Sequence, residues 1–352
     1  MLNIIAAVLV FGLIVLVHEF GHFLLAKLNG IGVVEFSIGM GPRLLSWQRG
    51  ETKYSLKILP FGGSCMMLGE DEKDADPKAF NNKSVWARIS VVFAGPAFNF
   101  ILAFFFAVII VMNIGYQKFQ ISDVTEGSPA AEAGLQAGDV ITRVNSRKIT
   151  AYEDIQVYML ANPGETLRIQ YRRSVGDGTD YETGETVLTP EYSETEGRYL
   201  MGVTFTSQYV KAESLSELVY YSAYQVKYCV TSTFDSLKML FTRQVQVDEA
   251  VAGPVRIVAM IGENVEESRE IGISVMLLTL CYWSLILSAS LGIMNLLPIP
   301  ALDGGRLVFL IIEAIRGKGI DQEKEGMVHM AGLLILMALM VFVLFNDIRS
   351  LF

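Results

Sequence analysis

Histidine and cysteine are both scarce in this chain of 352 residues, with three of each. Cys65, Cys229 and Cys281 show no C-x-x-C spacing, and an odd number leaves at least one unpaired, so neither a disulfide framework nor a thiolate metal site is expected. Basic side chains are outnumbered too: 28 Lys and Arg against 37 Asp and Glu give a formal net charge of −9. A phosphate-binding surface needs clustered cations, so nucleic acid is excluded as a partner. Only 18% of residues are charged while 52% are hydrophobic, a balance too apolar for an ordinary soluble domain and suited to a polytopic membrane protein.

The apolar residues are gathered into long runs. A helix crosses the bilayer core with roughly 20 apolar residues, and Leu2 to Leu25, Val91 to Ile114 and Ile273 to Leu297 meet this, with Met327 to Leu344 as a fourth. The apolar start lacks a basic n-region and runs straight into His18, Glu19 and His22, so it reads as a retained span rather than a leader. Lys and Arg accumulate between the first two spans, from Lys27 to Arg88. The positive-inside rule therefore assigns that loop to the cytoplasm and both termini to the outer side of the inner (plasma) membrane.

The expected fold class is a polytopic α-helical membrane protein with about four transmembrane helices, a cytoplasmic membrane-associated β-hairpin region and one extracytoplasmic α+β domain. In chain order the expectation is a first transmembrane helix over 1–25, a cytoplasmic loop over 26–90, a second transmembrane helix over 91–114, and the α+β domain over 116–207. Membrane-surface helices over 208–270, a third transmembrane helix over 271–305, a cytoplasmic loop over 306–326 and a fourth transmembrane helix over 327–346 complete it. Alternation of β-branched or aromatic with polar residues between Val33 and Leu59, punctuated by Gly39 to Pro42 and by Arg49-Gly50, is the pattern of a hairpin. Glu70 to Asp76 is acidic and reads as a solvated loop. Leu215 to Phe241 is interrupted by Glu217, Gln225, Lys227, Asp235 and Lys238, which favours a helix on the outer membrane face over a fifth span.

Chemistry centres on HEFGH. Along a helix His18 and His22 project one turn apart from one face, so both imidazoles reach one metal ion, with Glu19 about 100° round the helix. In H-E-x-x-H sites the two histidines bind Zn2+ and the glutamate is the general base, taking a proton from the attacking water and passing one to the leaving amine. Two histidines and a carboxylate inside an apolar span are expensive unless they face a cavity, one another or a metal. A third ligand is needed if water takes the fourth position. His329, near the end of the last span, is the remaining histidine; Asp303 is the stronger candidate, because it lies in NLLPIPALDGG, where prolines and glycines open the backbone.

Taken together, HEFGH, GPAFN from Gly95 to Asn99, SPAAEAGLQAGDVITRVN, GPV from Gly253 to Val255 and NLLPIPALDG from Asn295 to Gly304 resemble the bacterial site-2 protease family, the RseP-like intramembrane zinc metalloproteases of regulated intramembrane proteolysis. The resemblance runs nearly the whole length and is closest to the branch with a single PDZ domain. It implies zinc ligation by His18, His22 and Asp303, Glu19 as base, and Asn99 and Asn295 as substrate-binding residues. It also implies a PDZ-like domain whose peptide-binding loop is Tyr199, Leu200, Met201 and Gly202. The implied partners are the lipid bilayer, single-span membrane-protein substrates such as an anti-sigma factor or signal-peptide remnants, and an upstream site-1-type protease that cuts the same substrate first. A catalytically inactive scaffold or chaperone of the same fold would carry a damaged zinc motif, and a transporter would carry inverted repeats; the sequence has neither mark.

Overall fold

Among the described residues, four helices are long and apolar enough to cross a membrane: Ile5–Leu28, Val85–Ile114, Ile273–Leu296 and Glu323–Arg349. The computed structural model describes residues 2–70, 74–117, 119–175, 180–206, 208–242 and 253–349. In chain order it begins with α1 (Leu2–Leu28), β1 (Val33–Arg49), β2 (Thr52–Met67) and α2 (Val85–Ile114). A run of short elements follows: β3 (Tyr116–Gln117), β4 (Ile121–Val124), α3 (Pro129–Glu132), β5 (Val140–Val144), β6 (Arg147–Lys148), α4 (Tyr152–Ala161), β7 (Leu167–Val175), β8 (Asp180–Leu188), β9 (Glu191–Ser193), β10 (Arg198–Leu200), β11 (Val203–Phe205) and β12 (Tyr209–Val210). The chain then returns to helices, α5 (Leu215–Phe241), α6 (Pro254–Ile271), α7 (Ile273–Leu296), α8 (Asp303–Arg316) and α9 (Gln322–Arg349). These elements form two compact units, one from Met1–Ile109 with Val247–Phe352 and one from Ile110–Gln246.

In the first unit, small residues let helices approach closely. A β-carbon on Gly21 of α1 would lie 2.5 Å from the Ala94 carbonyl oxygen of α2, and one on Gly292 of α7 would lie 3.1 Å from the Phe100 ring of α2; such close backbone approach is how helices associate without a hydrophobic drive between them. Ala6 and Ala7 of α1 pack with Ile261 and Val265 of α6. The start of α6 is held from the far end of α9: Asp347 accepts from the backbone N–H groups of Gly253, Val255 and Arg256 at 3.0 to 3.1 Å, satisfying donors that a helix N-terminus leaves free.

The expected hairpin is a more elaborate sheet. Its register sets Glu35 to Ile38 between two neighbours, Gly63 to Met66 on one side and Lys53 to Leu56 on the other, while Arg43 to Arg49 pairs back on Thr52 to Lys57. Gly39, Gly41 and Gly62 have positive φ, which lets β1 and β2 bend and double back at these points. Two boundaries differ from the expected ones. α2 starts at Val85 rather than Val91 because Ser84 caps it, accepting from Ala87 N–H at 3.3 Å. Residues 303–316, expected to finish a span and enter a loop, form the separate helix α8, which ends where Gly317 takes φ 67°. Glu70, expected in a solvated loop, is ion-paired to Arg306.

In the second unit, alternating apolar residues bury Ile141, Val144, Leu167 and Ile169 from an antiparallel sheet of order β6-β5-β7-β8 against Ile121, Ile155 and Met201. The late strand β11 pairs with the early strand β4, Val203 opposite Val124, so the domain's end returns to its beginning. Asp139, fully buried, accepts two hydrogen bonds at 2.7 Å from Arg173. α5 is capped by Ser214, which accepts from Glu217 N–H at 3.2 Å while Glu217 accepts from Glu213 N–H at 2.9 Å. It is not among the four helices apolar enough to span.

Candidate metal centre

α1 and the start of α8 bring three side chains to one point. His18 Nε2 and His22 Nε2 lie 3.3 Å apart, and Asp303 Oδ2 lies 3.3 Å from the first and 3.4 Å from the second. Both histidines are buried, and the Asp303 oxygen is buried with no aligned hydrogen-bond donor among the described residues. Three ligands at about 2.0–2.1 Å from a tetrahedral zinc stand about 3.3–3.4 Å from one another. The triangle therefore fits this ion. Among the described residues these three are the group of His, Cys, Asp or Glu side chains able to hold a metal.

The surrounding contacts fix the imidazoles. His22 Nδ1 lies 2.9 Å from the Val91 carbonyl, and a donated N–H there leaves Nε2 with its lone pair toward the centre. Asn99, fully buried, has its amide 3.1 Å from His18 Nδ1, while its Oδ1 has no hydrogen-bond partner among the described residues. Turning the amide over lets Oδ1 accept from Nδ1–H, an assignment that again frees Nε2 toward the centre. Ser288 fixes this stretch of α2 by donating to the Asn99 carbonyl at 2.8 Å. Asn295 Nδ2 is 3.4 Å from His18 Nε2, so this side chain lines the centre.

Two glycines make the room. A β-carbon on Gly95 would lie 2.2 Å from His22 Nε2 and 2.8 Å from His18 Cε1, and one on Gly63 would lie 2.9 Å from Glu19 Cγ. Gly63 was not singled out by its sequence context, since a glycine in a strand carries no mark of what approaches it. His329 stands apart from the triangle and accepts from Ala301 N–H at 2.9 Å. In the second unit Tyr199, Leu200, Met201 and Gly202 border a cavity of about 500 Å³ also lined by Tyr152, Ile155 and Met159 of α4. Met201 is itself buried in the core, and Gly202, at φ 81°, presses on Ser128.

The sequence profile of peptidase family M50 matches residues 6–339. The chain belongs to this family. A Clostridium acetobutylicum protein that carries the provisional name of zinc metalloprotease is 38% identical, covering 98% of this chain and 97% of its own. The zinc metalloprotease RasP of Shouchella clausii is 32% identical and the regulator of sigma-W protease RasP of Bacillus subtilis 31% identical, each covering 99% of both chains. Over 26% of this chain and 90% of its own, the solved PDZ domain of an SdrC-like protein from Listeria monocytogenes is similar at 23% identity, with a TM-score of 0.21. This M50 peptidase is a zinc-dependent metalloendopeptidase of the site-2 type and a membrane protein.

Proposed function

We propose that His18, His22 and Asp303 hold the zinc, that Glu19 is the general base, and that the bond cut lies in a membrane-embedded segment of a single-span protein. The triangle of three donor atoms at 3.3 to 3.4 Å carries this reading. The chemistry supplied by the bound metal is Lewis-acid activation of water and of the scissile carbonyl. Val91 and Asn99 orient the two imidazoles, Asn295 faces the reacting centre as a donor to substrate, and Glu19 takes the proton of the attacking water and delivers one to the leaving amine. Zinc content of the purified protein tests the ligand set: His18→Ala and Asp303→Ala should each lose the metal, and a variant at Asp303 that retains it would remove that residue from the set.

A peptide bond within a helix is shielded, so the substrate must unwind and its freed backbone groups must find partners. Gly63 to Met67 is an edge of the sheet and runs beside Glu19, which supports adding the unwound substrate to it as a further strand. Tyr54 to Leu56, by contrast, is paired on both sides.

The cytoplasmic side is assigned to the β-sheet and both termini to the outside, in the inner membrane, with residues 116–207 as an extracytoplasmic PDZ-like domain. Cysteine labelling from each face tests this, and labelling of that domain from the cytoplasm would invert it. The domain filters substrates by size, admitting those shortened by an upstream site-1-type protease, such as an anti-sigma factor, or signal-peptide remnants. The cavity beside Tyr199 to Gly202 favours a second reading, capture of the new C-terminus. Deleting the domain should admit uncut substrates under filtering, and altering Tyr199 alone should change turnover only under capture.

A further inference from the structure

The segment between α7 and α8 ends on Asp303 and is shaped by few bonds. Ile299 N–H donates to the Leu297 carbonyl at 2.7 Å and Leu302 N–H to the Ile299 carbonyl at 3.2 Å, both inside the segment. Ala301 holds φ 77°, a left-handed conformation that an L side chain enters only when its surroundings impose it. Its N–H points out of the segment and donates to His329 Nδ1 of α9 at 2.9 Å.

α9 holds the same segment a second time. Gly332 lies three residues beyond His329, on the same face of the helix, and a β-carbon there would lie 2.4 Å from Pro300 Cβ and 2.5 Å from the Pro300 carbonyl oxygen. Only a bare backbone lets the segment lie this close. The imidazole is in turn set by its neighbours: the Phe309 ring of α8 is centred 5.5 Å away, and Glu325 Oε1, one turn back on α9, lies 3.8 Å from Nε2.

We propose that His329 is a positioning residue for the metal centre: its Nδ1 holds the left-handed turn at Ala301 that delivers Asp303 to His18 and His22, with Gly332 as the seat on which the turn rests. This inference rests on Asp303 being a zinc ligand. An outer partner that orients a ligand commonly contributes 10–100-fold to metal affinity, and here it acts through the backbone two residues away.

The test uses full-length protein in detergent, with zinc retention measured against a competing chelator and amide exchange measured over residues 297–303. Asparagine can bring Oδ1 to the place of Nδ1, whereas glutamine reaches the place of Nε2. His329→Asn should stay near wild type; His329→Ala and His329→Gln should lose zinc at least about tenfold more readily and lose protection at Ala301. Gly332→Ala should do the same, while Gly326→Ala, on the same helix with nothing within 4 Å, should do nothing. Asp303→Ala, run alongside, must lose zinc, and its failure to do so would remove the ligand assignment itself. If Asp303→Ala loses zinc but His329→Ala keeps both zinc and exchange protection, or if His329→Asn behaves as badly as His329→Ala, the positioning role is wrong. Should His329→Ala fail to fold, His329→Asn against His329→Gln and Gly332→Ala against Gly326→Ala still decide it.

Discussion

Gly95 of α2 faces His22 of α1 so closely that a single methyl group between them would stand 2.2 Å from Nε2. No side-chain rotation on α2 relieves that, because a β-carbon is fixed by the backbone. Gly95→Ala should therefore push the imidazole out of the triangle and abolish zinc binding. It removes no ligand and adds no charge, so zinc analysis of this variant beside wild type isolates the geometry. Full zinc content in Gly95→Ala would mean that α1 and α2 can separate at this point without harm.

Glu19→Gln keeps the volume of the side chain but cannot take a proton. Zinc and substrate binding should persist while cleavage falls by a factor on the order of 10² to 10⁴, the usual contribution of general acid–base catalysis. Turnover of a defined substrate at near the wild-type rate would dismiss Glu19 as the base.

Proline introduced in turn at Ser64, Cys65 and Met66 removes one edge N–H each time and blocks strand addition where that N–H points outward. At least one of these should lower turnover roughly tenfold with zinc content unchanged, an effect of the size one lost backbone hydrogen bond produces. Proline at Ser46, on the opposite edge of the sheet, serves as the comparison. Equal losses on both edges would point to general damage and not to substrate pairing.

Glu35 is buried in β1 and accepts from Arg43 Nε at 3.0 Å and Nη2 at 2.6 Å. The guanidinium holds its carboxyl down at about 2, below the ordinary value of 4.5. A depressed carboxyl binds fewer protons folded than unfolded, so its stabilisation is complete above about pH 4.5 and is lost as the pH falls toward 2. Amide exchange over residues 33–49 should be slower in wild type than in Glu35→Gln at pH 5 and should converge near pH 2. A difference that persists unchanged at pH 2 would show that the charge is not its source.

What could be read from the residues alone was mostly local. His18, Glu19 and His22 declare their chemistry because helical spacing fixes their relation before any tertiary contact forms. Asp303 was marked by its local setting of prolines and glycines, and the family resemblance gave it the ligand role, since nothing nearby in the sequence states that an aspartate 281 residues beyond His22 returns to it. Glycine was the main source of error: Gly304 and Gly305 look like the end of a helix, yet they begin one, because each lacks the β-carbon that would strike the carbonyls of Leu297 and Ile299. Likewise the pairing of Glu35 to Ile38 with two segments at once depends on the turns at Gly39, Gly41 and Gly62, whose geometry a pattern of alternation cannot express.

Asp347 closes on the start of α6, and Gly253 is bare because a β-carbon there would stand 2.4 Å from the aspartate and 2.5 Å from Val343. The Gly-Pro-Val sequence is thus half of a clasp whose other half is written 94 positions later. Each half fits the other, the bare glycine making room for the carboxylate that accepts its N–H, so the two positions form a single heritable unit. Across related chains they should be kept together or lost together, and a short glycine motif of this kind can persist through descent without ever touching a substrate.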